Sequence, residues 1–530
     1  MIFTSIEFAL FLPVVFLLYW FATKGNFKLQ NILLLASSYF FYGCWDWRFM
    51  FLLLFSTSLD FVTGIKIHSA EKETTKKCWF WLSICINLGF LGVFKYYNFF
   101  ASSFADSLSA LGIHVNLWTL NVILPVGISF YTFHGLSYVI DIYKNKIRPE
   151  RNFINYAVFV SFFPLLVAGP IERATHLLPQ LIKKREFDYS KAVDGMRQIL
   201  WGLFKKIVVA DNCAECVNQI FKSYQIQSGS MLLLGAVFFS FQIYSDFSGY
   251  SDIAIGTAKL FGIDLLRNFA FPYFSRDIAE FWRRWHISLT TWLRDYLYIP
   301  LGGSRGTRVK VIRNTLIIFL VSGFWHGANW TFIAWGGFHV ILFLPLLLFK
   351  KNRKNIVIVA TERSLPNIRE FFQILSTFLL VAIGWVFFRS ETITQAMEYI
   401  KKIFQFNSNY FETSTFLNNG SLSKFTILFS VLSIIVLIMT EWTQRLKAHG
   451  LDISGKKGRK VANLYYIVPV NLCLSGRIIC FYIFSILGHE KILNIHSVFP
   501  GNYYFPVFTY HLCHRSWIKK VGIWELKRME

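Results

Sequence analysis

Acidic residues are scarce in this chain. Its 530 residues hold 30 Asp and Glu against 54 Lys and Arg, and charged residues of both signs make up only 16%. So small a charged fraction, beside 58 phenylalanines and a mean hydropathy of +0.44, excludes an ordinary soluble domain. The eight cysteines are scattered, and Cys44, Cys85 and Cys480 fall inside apolar runs. Cys213 and Cys216 form a lone C-x-x-C with no second pair, which reads as small apolar filling rather than a zinc site. There is no G-x-S-x-G elbow and no H-E-x-x-H, and the histidines are dispersed. Neither a serine-hydrolase triad nor a metal centre is expected. No internal repeat appears, and no Gly/Ser-rich or Pro-rich linker divides the chain. One membrane domain over 1–487 is therefore expected, with 488–530 an atypical tail to which no function is assigned.

Apolar runs are what the chain has in quantity. They lie near 3–22, 29–45, 48–67, 79–100, 119–141, 153–170, 197–217, 231–262, 309–326, 328–349, 370–388, 424–441 and 461–487. Many approach the ~20 residues that cross a bilayer as a helix. Some are too short or too polar to cross alone, so the reading is an all-α polytopic protein of about eleven spans plus re-entrant pieces. The first run has no basic stretch before it and no small-residue cleavage site after it, and reads as an uncleaved first helix.

The net charge of +24 is distributed in short loops: Lys66 to Lys77, Lys144 to Arg151, Lys183 to Lys191, Lys350 to Lys354 and Lys456 to Lys460. That is the pattern of cytoplasmic loops under the positive-inside rule. A nucleic-acid binder would gather its basic residues on one soluble face.

Residues 271–313 break the rhythm. Arg276, Arg283, Arg284, Arg294, Arg305, Arg308, Lys310 and Arg313 are interleaved with Phe281, Trp282, Trp285, Trp292, Tyr296 and Tyr298. A solvated loop needs no such aromatic load, whereas helices at the interface or dipping into the bilayer do. On one helix Trp282, Trp285 and His286 would share a face and Arg283 and Arg284 would lie elsewhere. The arginines could then reach an acidic donor or lipid head groups. Forty residues on, His326 stands between small residues in Ser322–Asn329. Polar groups at membrane depth are expensive and mark working sites. A neutral buried imidazole there could take a proton from an attacking hydroxyl. His339 is the weaker candidate. Asp246 and Asp252 are six apart, not the spacing of helical neighbours, and are expected to bond cationic or hydroxyl groups of nearby helices.

Several of these motifs together resemble one family. PVGISFYTF (125–133), Gly169-Pro170-Ile171, DFSGYSD (246–252), FWRRWHISL (281–289), WLRDYLYIPLGG (292–303) and FWHG (324–327) resemble the membrane-bound O-acyltransferases (MBOAT). Within them the chain is similar to the branch of alginate O-acetylation and other polysaccharide acetylation. The likeness runs over roughly residues 1–480. It implies a ring of helices around a thinned centre, re-entrant helices over 281–300, and a tunnel across the protein. His326 falls where the family has its catalytic histidine, and His286 at the second polar position, on the cytoplasmic side. Trp282, Arg283, Arg284, Trp285, Arg294, Asp295 and Trp325 would bind the donor or line the tunnel.

The resemblance further implies a multi-pass protein of the bacterial cytoplasmic (inner) membrane. It would move an acetyl group from a cytoplasmic donor, acetyl-CoA, for O-acetylation of an exported polysaccharide. No bound cofactor is expected, and an exported SGNH-type acetyltransferase is the expected partner. O-Acylation of peptidoglycan or of a teichoic-acid-like polymer would use the same residues. A lipid-linked sugar transporter or flippase is the alternative from another class, although broken helices in two corresponding halves are not seen.

Overall fold

The computed structural model describes residues 1–115, 120, 123–406, 410–411 and 424–453. The apolar run at 461–487 and the tail at 488–530 lie outside the described residues. Within them every regular element is helical. The chain reads α1 (Ile6–Leu17), α2 (Phe27–Gly43), α3 (Arg48–Ser69), α4 (Glu73–Leu91), α5 (Tyr97–Ala110), α6 (Ile128–Tyr143), α7 (Phe153–Ser161) and α8 (Ala174–Leu181). It continues through α9 (Tyr189–Leu203), α10 (Asp211–Lys222), α11 (Gly229–Leu260), α12 (Ile278–Arg284), α13 (Ile287–Leu293) and α14 (Arg308–His326). The described part ends with α15 (Trp330–Leu348), α16 (Ile368–Arg389), α17 (Ile393–Ile403) and α18 (Lys424–Thr443).

Among the described residues six helices are long and apolar enough to cross a membrane: Arg48–Ser69, Glu73–Ala110, Gly229–Leu260, Trp330–Leu348, Ile368–Arg389 and Lys424–Thr443. The protein is polytopic. The segment expected to span at 153–170 does not continue as one helix: α7 stops at Ser161 and a buried turn follows. Pro164 explains the stop, because it has no N–H to donate and drives the residue before it out of helical geometry. The turn rests on Gly127, whose φ is +75° and where a Cβ would lie 1.9 Å from the Leu166 carbonyl oxygen. Only glycine fits there.

α11 is the axis of the core, buried along most of its length. It meets α9 at paired glycines: a Cβ on Gly202 would lie 2.5 Å from the Gly249 oxygen, and one on Gly195 2.6 Å from the Gly256 oxygen. Seven-residue spacing on both helices keeps these small residues in register, letting backbones touch where lipid offers no hydrophobic drive. Charges at this depth are paired. Lys205 meets Asp252 at 2.5 Å, Lys206 meets Asp246 at 2.5 Å, and the Tyr244 hydroxyl donates to Glu441 at 2.8 Å. The two aspartates of the 246–252 motif are thus bound to lysines from the π-turn Phe204–Ala210 that joins α9 to α10.

Candidate functional site

His286 and His326 arrive from different elements and meet at one indole. α12 is N-capped by Asp277, which accepts from the Glu280 amide at 2.7 Å. It was expected to carry Trp282, Trp285 and His286 on one helical face, and it does not. The helix ends at Arg284, Trp285 is extended, and His286 adopts the left-handed region at φ 43°, ψ 54°. A new helix, α13, starts immediately after it. The reason is local: the Ile287 amide donates to the Asn268 carbonyl at 2.8 Å and the Ala270 amide to the Arg284 carbonyl at 3.0 Å, so residues 284–287 run beside 268–270. A left-handed non-glycine residue costs ~1–2 kcal/mol and persists only where surrounding bonds impose it.

The imposing bonds form a chain. The Ser288 hydroxyl donates to Asn268 Oδ1 at 3.0 Å, and Asn268 Nδ2 donates to the Ser251 hydroxyl at 3.1 Å. The Ile171 amide donates to the Ser288 hydroxyl at 3.0 Å, and the next amide, Glu172, donates to His134 Nε2 at 3.1 Å. The buried Glu172 carboxylate accepts from the Leu266 amide and from His176 Nδ1, the latter at 2.8 Å. That hydrogen bond raises the His176 pKa above its ordinary value.

His286 is itself the N-cap of α13. Its Nδ1 accepts from the Leu289 amide at 3.3 Å, which puts the proton of the neutral ring on Nε2. Nε2 is buried and has no partner among the described residues. The tautomer makes His286 a donor toward whatever occupies the site.

His326 is the last residue of α14. Ahead of it Gly323 lets α15 approach, since a Cβ there would lie 2.3 Å from the Phe332 oxygen. The His326 ring is buried among the rings of Trp325 at 4.8 Å, Trp335 at 5.2 Å and Phe388 at 5.2 Å between centroids. Trp325 also lies 5.8 Å from the His286 ring, so one indole touches both histidines. His339 belongs to the same cage, 5.0 Å from both Trp282 and Trp335. Trp325 Nε1, Trp282 Nε1, Trp335 Nε1 and both His339 nitrogens lack partners among the described residues. Buried polar atoms ordinarily find partners, and these surround the two histidines.

The other expected site residues divide. Trp282 packs on Phe319, Trp335 and His339, and Trp285 stacks on Phe281 and lies against Trp385, so both belong to the cage wall. Arg283 instead donates to the Asn352 and Asn355 carbonyls at 2.7 Å each, tying down the loop after α15. Arg284 is buried, paired with Glu280 at 2.8 Å. Arg294 pairs with Asp295, which is also bound by Arg173 at 2.6 Å. These charged residues brace the segment around His286, and their partners here are protein groups. Sequence reasoning missed Asn268, Ser288 and Lys95. Only Lys95 gave a signal, as a lysine within an apolar run.

Residues 143–384 match the family model described as MBOAT, membrane-bound O-acyltransferase family. A probable alginate O-acetylase AlgI of Azotobacter vinelandii is 38% identical over 439 residues, covering 82% of this chain and 84% of the relative. The peptidoglycan O-acetyltransferase of Helicobacter pylori is 35% identical over 79% of this chain and 84% of its own. The teichoic acid D-alanyltransferase of Streptococcus thermophilus is 31% identical over a shorter match, 41% of this chain and 55% of the relative.

Proposed function

The chain belongs to the membrane-bound O-acyltransferase family, and from that membership we propose an acetyltransferase that passes acetyl groups from cytoplasmic acetyl-CoA to an exported polysaccharide. It is a membrane O-acyltransferase; the donor, the acceptor and the inner-membrane location are the proposal. The observation that carries it is the meeting of His286 and His326 on Trp325, inside a cage of buried polar atoms without partners among the described residues. In this reading His326 takes the proton of the acceptor hydroxyl as its oxygen attacks the acetyl carbonyl carbon. The His286 Nε2–H donates to the carbonyl oxygen as negative charge develops there. The carbon–sulfur bond breaks, and His326 returns the proton to the leaving thiolate. Anionic coenzyme would be drawn by the basic loops of the cytoplasmic face. An exported SGNH-type acetyltransferase would supply that acceptor hydroxyl from its serine and pass the acetyl group on to the sugar.

The test is the acetyl-ester content of the exported glycan in cells carrying His326→Ala, with insertion checked in the membrane fraction. Loss of the ester at normal protein level is expected. Wild-type acetylation with inserted protein overturns the assignment. His286→Gln, which keeps an N–H near the Nε2 position, should retain more activity than His286→Ala; equal loss would remove the donor role. Peptidoglycan or a teichoic-acid-like polymer is the second reading, favoured by the relatives named for those polymers. Ester found on muropeptides rather than on the polysaccharide would select it. Glycan export lost together with acetylation would favour a flippase instead.

A further inference from the structure

Lys95 lies partly buried midway along the apolar helix Glu73–Ala110, beside the end of the helix that delivers His326. It belongs to a π-turn, Gly92–Tyr96, that interrupts the long helix Glu73–Ala110. Its ammonium donates to the Trp325 carbonyl at 2.7 Å and to the Ser129 hydroxyl at 3.3 Å. It also sits 5.5 Å from the centre of the Trp325 ring. The next residue repeats the pattern without charge: the Tyr96 hydroxyl donates to the Phe324 carbonyl at 3.2 Å, and its ring stacks on Phe324 at 4.1 Å.

These contacts answer a specific deficit. α14 ends at His326 because Gly327 is extended, with φ −173°. The last four carbonyls of an α-helix have no donor within the helix, and in an apolar surrounding each must find one. Those of Phe324 and Trp325 find theirs in Tyr96 and Lys95. An ammonium there also meets the partial negative charge of the helix terminus. The π-turn widens the helix locally, and such turns cluster at functional sites.

We infer that Lys95 is a positioning residue for His326: with Tyr96 as its neutral counterpart, it caps the terminus of α14 and fixes where the imidazole stands. Lys95 acts through the backbone of Trp325. The inference rests on the reading of His326 as the base.

The experiment is an initial-rate assay in inside-out membrane vesicles with radiolabelled acetyl-CoA, each variant normalised to folded protein by size exclusion. Lys95→Met should lower kcat about 10- to 100-fold, the effect of losing a charge-assisted hydrogen bond, while KM for acetyl-CoA changes little. Lys95→Arg, whose guanidinium can donate to both the carbonyl and the hydroxyl, should recover most of that loss. Tyr96→Phe keeps the stack and removes the cap, with an expected drop of about 3- to 10-fold. Should Lys95→Met not fold, Lys95→Arg and Tyr96→Phe carry the test. Wild-type kcat in Lys95→Met overturns the inference, as does a Lys95→Arg variant as slow as Lys95→Met. His326→Ala run alongside keeps the two claims apart. An inactive His326→Ala beside an unimpaired Lys95→Met removes only the positioning role, whereas an active His326→Ala removes both.

Discussion

Asn268 should matter more to activity than its distance from the chemistry implies. Its side chain is fully buried, accepts from the Ser288 hydroxyl at 3.0 Å and donates to the Ser251 hydroxyl at 3.1 Å. Asn268→Ala takes a partner from two buried hydroxyls: Ser251 loses its donor, at about 1–3 kcal/mol, and Ser288 keeps the Ile171 amide but loses a bond of about 0.5–1.5 kcal/mol, so the local loss is about 1.5–4.5 kcal/mol. The left-handed geometry of His286 stores about 1–2 kcal/mol that relaxation would release. The lost tether exceeds or matches that strain, so the segment 285–288 should drift and carry His286 away from Trp325. Acetyl transfer in vesicles at equal folded protein should fall at least ~10-fold, and thermal inactivation should come earlier. Ser288→Ala should do much of the same damage, and the double variant should add little, because both remove one hydrogen bond. Ser251→Ala removes only the far end and should be milder. Wild-type activity in Asn268→Ala, or full additivity with Ser288→Ala, would refute the tether.

Gly202→Ala puts a methyl carbon 2.5 Å from the Gly249 carbonyl oxygen and 2.9 Å from the Ile253 amide, neither of which can yield without moving α11. A loss of about 1–3 kcal/mol is expected, read as a lower aggregation temperature in detergent; an unchanged temperature would mean that the α9–α11 contact is loose. The His176–Glu172 bond should stabilise the protein most on the acid side. Because the folded-state pKa of His176 is raised by its hydrogen bond to Glu172, its contribution is complete below the ordinary value of 6.5 and is lost as pH rises through the raised one. The melting difference between wild type and His176→Gln should therefore shrink toward alkaline pH; a gap that widens would reverse the sign of the coupling.

The two histidines were legible because histidine and arginine at membrane depth are costly and therefore conspicuous, whatever surrounds them. Their relation was not legible. Residues 281–289 read as one helix, since nothing in the string Trp285-His286-Ile287 announces a left-handed residue. The break is imposed by Asn268 and Ala270, distant in sequence and unremarkable as polar or small residues. The partners of the arginines were not legible either. Their number pointed to an anionic donor, yet Arg283 and Arg284 find carbonyls and a carboxylate contributed by the fold. The π-turns were equally hidden. Lys95, the pair Lys205 and Lys206, and the pair Arg294 and Asp295 all sit in such turns. A pattern of 3.6-residue periodicity cannot register an inserted residue that shifts the facing of everything after it. Three of the four π-turns among the described residues carry charged side chains, and those windings bring Lys205 to Asp252, Arg173 to Asp295 and Lys95 to the end of α14. The histidines could be found by their cost in lipid; what holds them could be found only once the helices were placed.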